Sequence, residues 1–565
     1  KISGMFAPTL SFSNNKDFSK KVPYTALDNP DYVVGYIQGY ATTNLVEGRS
    51  ESLSHITQFL ASYSKTVGSH NLEAMLGYEN YYWTSQNISA TRNNFELSTF
   101  PYLNLGNANF QFNSGNASET AYRSWFGRVM YSYKGRYSLQ VNGRHDASSR
   151  FAKEFRSAFF PSVSAGWTLS EEKFLSEVRQ LSFLKLRASW GMLGNERIGD
   201  NYPYQSTIGF STSSVYRGNT PTSIQAAAVN RYAIPDIGWE TTESYDIGID
   251  AGFFNNRLNL VMDYYKKTTK DMLLELEIPK YIGLSNPNQN AGKMFTRGWE
   301  FEIGWNDRVG QVTYGASFNI TDSKSIMGDL KGTQFIGDQV KLEGSEYNEW
   351  YGYRTAGIFQ TQEEINNYPV INANVRPGDI KILDISGPEG VPDGRISPEY
   401  DRVLLGGSLA RHLYGGSIKL GYKNLDFSLF VQGVGFQNVQ MPLAWVQPVT
   451  RIPELTDGQY WSHYKSAEEN RNARYPRISG YYQANNYPAL TDFWLFNGAY
   501  FRMKNISLGY TLPTTKTEII GIKRARVYLT GTDLFSLSKF PKDRDPEGSS
   551  NFITSSYVAG ISINF

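Results

Sequence analysis

YDIGIDAGFFNNRLNLVMDYY, residues 245–265, reads as two strands and the turn that joins them. Tyr245, Ile247, Ile249, Ala251 and Phe253 alternate with Asp246, Gly248, Asp250 and Gly252, the period of two that sends successive side chains to opposite faces of a strand. After FNNR the alternation resumes, with Leu258, Leu260, Met262 and Tyr264 set against Asn259, Val261, Asp263 and Tyr265. Asparagine tolerates the left-handed backbone of tight turns, so the two strands are expected to fold back directly on each other. Both then bring large apolar side chains to one side. On a water-exposed sheet that side would carry Thr, Lys and Glu; here it needs lipid or protein to cover it.

The pattern recurs. In WEFEIGW, Trp299, Phe301, Ile303 and Trp305 oppose Glu300, Glu302 and Gly304, and after the turn DRVGQ the segment VTYGASFNI continues it with Val312, Tyr314, Ala316, Phe318 and Ile320. SIKLGYKNLDFSLFVQG repeats it once more (417–433). Weaker alternation at 2–13, 51–67, 70–90, 119–133, 136–151, 158–168, 182–193, 499–512 and 524–535 brings the count to about sixteen strands. In AYFRMKNISLGYTL (499–512) the apolar phase slips between Met503 and Ile506, which predicts a bulge. The chain ends in YVAGISINF, with Tyr557, Ala559, Ile561, Ile563 and Phe565 in one phase, as expected of a strand that completes a closed sheet.

Short connections (YKGRY, FFNNR, NDRVGQ, YKNLD) alternate with long ones (91–118, 195–238, 326–412, 439–498, 536–553). That is the layout of an all-β transmembrane antiparallel barrel with periplasmic turns and extracellular loops, and it places the C-terminus in the periplasm. A soluble sandwich or propeller would also alternate, but no blade signature repeats at a fixed period.

Composition narrows the function. There are 39 Tyr, 33 Phe and 11 Trp at a mean hydropathy of −0.43, and no apolar run approaches the roughly 20 residues of a membrane-spanning helix. Lys and Arg total 55 against 53 Asp and Glu, without a block of like charge, which argues against nucleic acid as a partner. With no Cys and five scattered His (His55, His70, His145, His412 and His463), thiol chemistry and Cys/His zinc sites are excluded. No catalytic constellation stands out, so an enzyme is not expected. Glu300 and Glu302 could imitate an acid/base pair, but neighbours at i and i+2 on a polar strand face ordinarily line a wet channel. The opening KISGMFAPTLSFS has no start Met and no signal peptide, the expectation for a mature or truncated fragment.

Several stretches go further. TRGWEFEIGWND (296–307), RPGDIKILDISGPEGVPDGRISPEYDRVLLGG (376–407), YGGSIKLGYKNLDFSLFVQGVGFQN (414–438), AYFRMKNISLGYTLP (499–513) and IKRARVYLTGTDLFSLSKFPKDRDPE (522–547) resemble the SusC/RagA family of TonB-dependent outer-membrane transporters of Bacteroidetes. RHDASSRFAKEFRSAFFPSVSAGW (144–167) and LKLRASWGMLGNERIGD (185–200) are similar to the family's mid-barrel. The resemblance implies a 22-stranded barrel, of which this chain supplies the C-terminal sixteen or so strands, with the remaining strands, the plug domain and the TonB box upstream of Lys1. It implies TonB–ExbB–ExbD as the energy source, a SusD-like surface lipoprotein as partner, and glycans, or in some members peptides, as cargo. Phe565 resembles the terminal aromatic read by the barrel assembly machinery.

Two groups of residues are candidates for ligands. The loops offer Trp350, Tyr351 and Tyr353 in EYNEWYGYR, Trp445 in LAWVQP, and Trp461 and Tyr464 in QYWSHY, rings on which the C–H face of a sugar can stack. They could equally pack within the loops or meet a partner. Related proteins often carry D-x-N-G-D-G-x-I-x-x-x-D where this chain has DISGPEGVPDGRISPEYD, so the resemblance implies a structural Ca²⁺ held by Asp384, Asp393 and Asp401. The replaced start, SGPEGVP, leaves a turn-rich loop as the other reading. No other cofactor is expected.

Overall fold

In the computed structural model, described for all residues except 198–200, 218–219, 230–232, 276–280, 282, 285, 333, 335, 441–465, 467, 469–472, 474, 478–485, 487–489, 514–518, 520, 542–543 and 549–551, sixteen strands form one antiparallel sheet. In chain order they are β1 Ile2–Ser19, β2 Asn44–Val67, β3 His70–Asn93, β4 Gln111–Tyr133, β5 Tyr137–Ser148, β6 Ser157–Thr168, β7 Leu181–Asn195 and β8 Glu240–Phe253. There follow β9 Leu258–Lys270, β10 Lys293–Val309, β11 Val312–Met327, β12 Arg411–Tyr422, β13 Leu425–Phe436, β14 Tyr500–Thr511, β15 Arg524–Ser538 and β16 Ser556–Asn564. Each pairs only with its neighbours in sequence. Among the described residues β1 and β16 are the two margins, with no ladder between them. The expectation that the last strand closes on the first is therefore not met within this chain.

The quoted hairpin forms in the expected register, with Ile249 opposite Met262 and Phe253 opposite Leu258. Its turn places Phe254, Asn255 and Asn256 at φ of 54°, 60° and 59°, the left-handed region that the asparagines tolerate. The bulge also falls where the phase slips. Met503 and Asn505 pair in succession with β13 while Lys504 has no partner, and the ladder to β15 shifts at the same point.

The two faces of the sheet differ in cover. Ile247, Leu76, Leu529 and Ile561 are 59–66% exposed on the apolar face, whereas Asp246, Asp250 and Asp263 on the polar face are partly covered, as on the crowded concave side of a curved wall. Two rows of aromatics bound the apolar band. At the short-turn end Tyr133, Tyr137 and Trp167 stack in sequence with centroids 6.4 and 6.3 Å apart, and Glu172 accepts hydrogen bonds from Tyr137 Oη (2.5 Å) and Trp167 Nε1 (3.2 Å). At the other end Phe59, Tyr78, Trp125, His145 and Phe159 are successive lateral partners. From Trp125 to Tyr133 the strand advances roughly 26 Å, a tilted membrane crossing. No helix is long and apolar enough to cross a membrane.

β2 and β3 are 24 residues each and run well past the upper aromatic row, β3 by roughly 50 Å from Tyr78 to Asn93. The sequence reading stops seven residues short at the outer end of β2 (44–50) and three short at that of β3 (91–93), where apolar and polar residues do not alternate. The expected connection 91–118 shrinks to 94–110, and two further long connections, 20–43 and 271–292, were not anticipated. The other long connections lie within a few residues of expectation.

Apolar cores occur in the loops rather than in the wall. Tyr353, Ile380, Ile382, Trp494 and Phe540 form one cluster, and Phe151, Ile234 and Ile237 another. A single wall cannot bury its own apolar face, so that face is left for lipid.

Candidate functional site

The polar face is organised by arginine–carboxylate pairs that reach across glycine. Arg187 of β7, Gly248 of β8 and Asp263 of β9 are lateral neighbours. Because Gly248 has no side chain, Arg187 passes over it, donating from Nη1 to Asp263 Oδ1 (2.9 Å) and from Nε to Asp250 Oδ2 (2.8 Å). A Cβ at 248 would run into Asp263 Oδ1 and lie 2.8 Å from Arg187 Cζ. The same device recurs where Arg526 grips Asp426 in the space left by Gly509. Next to the first pair, Asp263, Glu300, Glu302, Thr321, Gln432 and Glu547 line a recess of about 470 Å³. Among the described residues Glu300 and Glu302 take part in no salt bridge; they line the recess.

Glu547 reaches this recess because the connection after β15 folds inward. Arg502 of β14, 1% exposed, holds Asp545 and donates to Glu547 Oε2 (3.0 Å). Lys504 Nζ adds a contact to Asp533 Oδ1 (3.2 Å). Lys504 is the bulged residue and Arg502 lies two before it, so the irregularity places two cations where the acidic segment DPE returns.

The loop candidates fall into three groups. Tyr353 is 2% exposed within the loop core, and burial raises its phenol above the ordinary range; its ring is packing, not an open platform. Trp350 and Tyr351 are half-buried in a small sheet of strands Gln339–Val340, Glu349–Tyr353 and Arg402–Gly406. There Trp350 Nε1 donates to Asn438 O (2.8 Å), and the Arg402 guanidinium lies 4.5 Å over the Tyr351 ring. Trp445, Trp461 and Tyr464 lie outside the described residues.

Beside this sheet, Asp379 is fully buried and accepts from Arg477 Nε (2.7 Å) and Nη2 (3.2 Å) and from Asn486 Nδ2 (3.1 Å), clamping distant loop segments. In the helix α1, Gln362–Asn366, burial disfavours the Glu364 carboxylate. The Gln360 N–H and the Lys381 ammonium (2.8 Å) outweigh that and hold its pKa below the usual range.

In the Asp loop the carboxylates face amides. Asp401, fully buried, accepts from Ile385 N (2.8 Å) and Ser386 N (3.2 Å) on one oxygen and from Ser397 N (2.7 Å) on the other. Asp384 Oδ2 accepts from Gly394 N (2.7 Å), and Asp393 Oδ1 from Arg395 N (3.0 Å). Among the described residues no three acidic or His side chains are grouped to hold a metal. Asp384 Oδ1 is buried without a partner, but the remaining donor set is spent on closing the loop.

A constellation that sequence reading passed over lies on the inner wall just beyond the upper aromatic row. Tyr81 of β3 stacks on Tyr122 of β4, centroids 5.1 Å apart, and Trp83 lies two residues further out on the same face, between Ser54 and Thr120. Below them Glu79 accepts from Tyr122 Oη (3.1 Å), Gln58 Nε2 (3.1 Å) and Arg144 Nη2 (3.5 Å), while Arg144 Nε donates to Asp146 (2.7 Å). The parity of Glu79, Tyr81 and Trp83 in YENYYWTS was visible, but aromatics on both faces there hid which side was inner.

Residues 5–534 match a family model described as TonB dependent receptor-like, beta-barrel. The chain is 30% identical over 563 residues to TonB-dependent receptor P3 of Formosa agariphila, an alignment covering 97% of this chain and 53% of that protein. It is 26% identical over 523 residues to TonB-dependent receptor SusC of Bacteroides thetaiotaomicron, covering 89% and 49%. The chain thus spans about half the length of the curated relatives it matches. A solved structure described as the RagAB peptide transporter superposes with a TM-score of 0.80 over all of this chain and 60% of that one, at 22% identity, a likeness of fold.

Proposed function

Because the chain belongs to the TonB-dependent receptor-like β-barrel family, we propose that it is the C-terminal wall of a SusC-like transporter that imports oligosaccharides across the outer membrane. A SusD-like lipoprotein serves as the outer partner and TonB–ExbB–ExbD as the motor. The observation that carries this reading is the open sheet: an apolar outer band between two aromatic rows, a polar inner face, and unpaired margins at β1 and β16. The edge of β16 (Ser556–Asn564), which crosses the apolar band, would be untenable if left unpaired in hydrocarbon, so further strands complete the wall, and they and the gating domain belong to the part of the protein outside this chain. A passive sixteen-stranded porin needs β1 to pair with β16, and the described residues give that no support. On this reading the long connections are extracellular and the short turns and Phe565 periplasmic.

Sugars rather than peptides are favoured by the aromatics of the inner wall, Tyr81, Trp83 and Tyr122, since rings bind the C–H faces of pyranoses while neighbouring hydroxyls and amides take their OH groups. The Asp loop, closed by its own amides, needs no Ca²⁺ in this account. The test is isothermal titration of the full-length transporter, co-purified with any lipoprotein encoded beside it, against oligosaccharides and mixed peptides. Saturable heat with a glycan is the expected result. Heat with peptides alone would move the protein to peptide import, and no heat with either would return it to a porin or structural barrel.

A further inference from the structure

We propose that the inner face of the tall wall formed by β1–β4 is a binding surface for uncharged oligosaccharide, with Tyr81, Trp83 and Tyr122 as its stacking shelf. The inference rests on the glycan reading above and names the place and the chemical class that the sequence candidates in the loops did not.

Position comes first. Tyr81 and Trp83 are three and five residues beyond Tyr78 of the upper aromatic row, roughly 10–17 Å along the strand. The shelf therefore stands outside the lipid, at the mouth. It is also built. Tyr122 is fixed by its hydrogen bond to Glu79, Tyr81 stacks on Tyr122, and Phe126 below lies over Gly77 with the Arg144 guanidinium 5.1 Å from its ring. Arg144 also donates to Ser124 Oγ (2.6 Å), and Ser124 has no exposed surface. The charges beneath the shelf are thus tied to one another and are not offered to a ligand.

The faces of the same strands then differ sharply in charge. Outward from the shelf, from Ser54 to Gly48 on β2 and along its lateral partners, the inner face carries Ser50, Ser52, Ser85, Asn87 and Asn116 and no ionisable group. On the outer face of the same stretch stand Arg49, Glu51 and Glu119. Segregation of this kind is not needed for solubility, because both faces are in water. Hydroxyls and amides each donate and accept, and in a pleated sheet they form a grid about 4.8 Å by 7 Å, suited to a ligand that is itself an array of hydroxyls. From the long connection after β7, Asn201 Nδ2 donates to Ser118 Oγ (2.6 Å), closing one side of the grid. An anionic polysaccharide or a zwitterionic peptide would leave its charges without partners there.

The experiment is titration of the full-length transporter in nanodiscs with length-matched neutral gluco-, manno- and galacto-oligosaccharides and with uronate-containing ones. It compares wild type, Trp83→Ala, Trp83→Phe and the exposed-wall variant Asn87→Asp. The expected outcome is binding of a neutral oligosaccharide by wild type, weakened tenfold or more by Trp83→Ala, largely retained by Trp83→Phe, and weakened by Asn87→Asp, which keeps the proposal testable should Trp83→Ala fail to assemble. Wild-type affinity in both Trp83→Ala and Asn87→Asp would overturn the site while leaving glycan import standing. Preference for uronates would overturn the uncharged class, and absence of any glycan binding by wild type would overturn the glycan reading itself.

Discussion

At the scale of single residues, glycine decides where charge can pair on the inner wall. Arg187 and Asp263 sit on strands that are not adjacent, and their contact exists because Gly248 between them is bare. Gly248→Val should break it, since the new side chain occupies the path of the guanidinium and leaves Asp250 and Asp263 with an unmatched charge beside Asp246. The pair is partly exposed, so the expected loss is modest, about 1 kcal/mol from the pair and somewhat more with strain. A lowered urea midpoint in refolded barrel, absent from Gly304→Ala, where a Cβ would meet nothing closer than 4.0 Å, is the measurement. An unchanged midpoint would mean that the ion pair contributes nothing. The residue scale is also where the sequence reading was least complete. Tyr353 reads as an available ring in EYNEWYGYR, yet the fold closes Ile380, Ile382 and Trp494 over it from segments far along the chain.

At the scale of elements, the irregular strand β14 is more informative than the regular ones. Its bulge at Lys504 was legible because a shift of apolar phase has few other causes, and the structure adds what it accomplishes: Arg502 and Lys504 are both brought to Glu547 in the acidic strap of the last long connection. Deleting Lys504 removes the extra residue and forces one half of β14 to present its apolar side chains to the inner wall, since a one-residue slip exchanges faces. The deletion should fail to yield the heat-modifiable folded species on unheated gels, whereas Lys504→Gln should yield it while making the connection after β15 more sensitive to protease. Folding of the deletion at wild-type level would show that the bulge is dispensable. By contrast the outer end of β2, residues 44–50 (NLVEGRS), had no legible signal: Leu45 and Val46 are adjacent, no apolar residue follows them in period two, and pairing with β1 and β3 is what keeps the segment extended.

At the scale of the whole molecule, the apolar band has to meet lipid for the wall to be stable. Tyr557, Ile561 and Ile563 continue that band on the last strand, with Phe565 in the same phase one residue beyond it. The double substitution Ile563→Asp and Phe565→Asp should deplete the protein from the outer membrane. Each charge on the lipid face costs roughly 2–4 kcal/mol near the midplane, less near the interface, and the terminal aromatic would be lost to the assembly machinery as well. Quantitative blotting of membrane fractions against Ile563→Val is the check, and normal levels of the double mutant would count against both the topology and the terminal signal.

Period-two alternation, the spacing of turns and the long connections by themselves determined the sheet, its sixteen strands, the bulge and the lipid-facing side, because these are local properties: a strand's face and a turn's handedness are written in residues next to one another. What faces what across the wall was decided only by the tertiary structure. The passage of Arg187 over Gly248, the closure of the Asp loop by its own amides, the burial of Tyr353 and the shelf of Tyr81, Trp83 and Tyr122 all depend on register between strands and on loop segments up to a hundred or more residues apart. No local pattern encodes those distances.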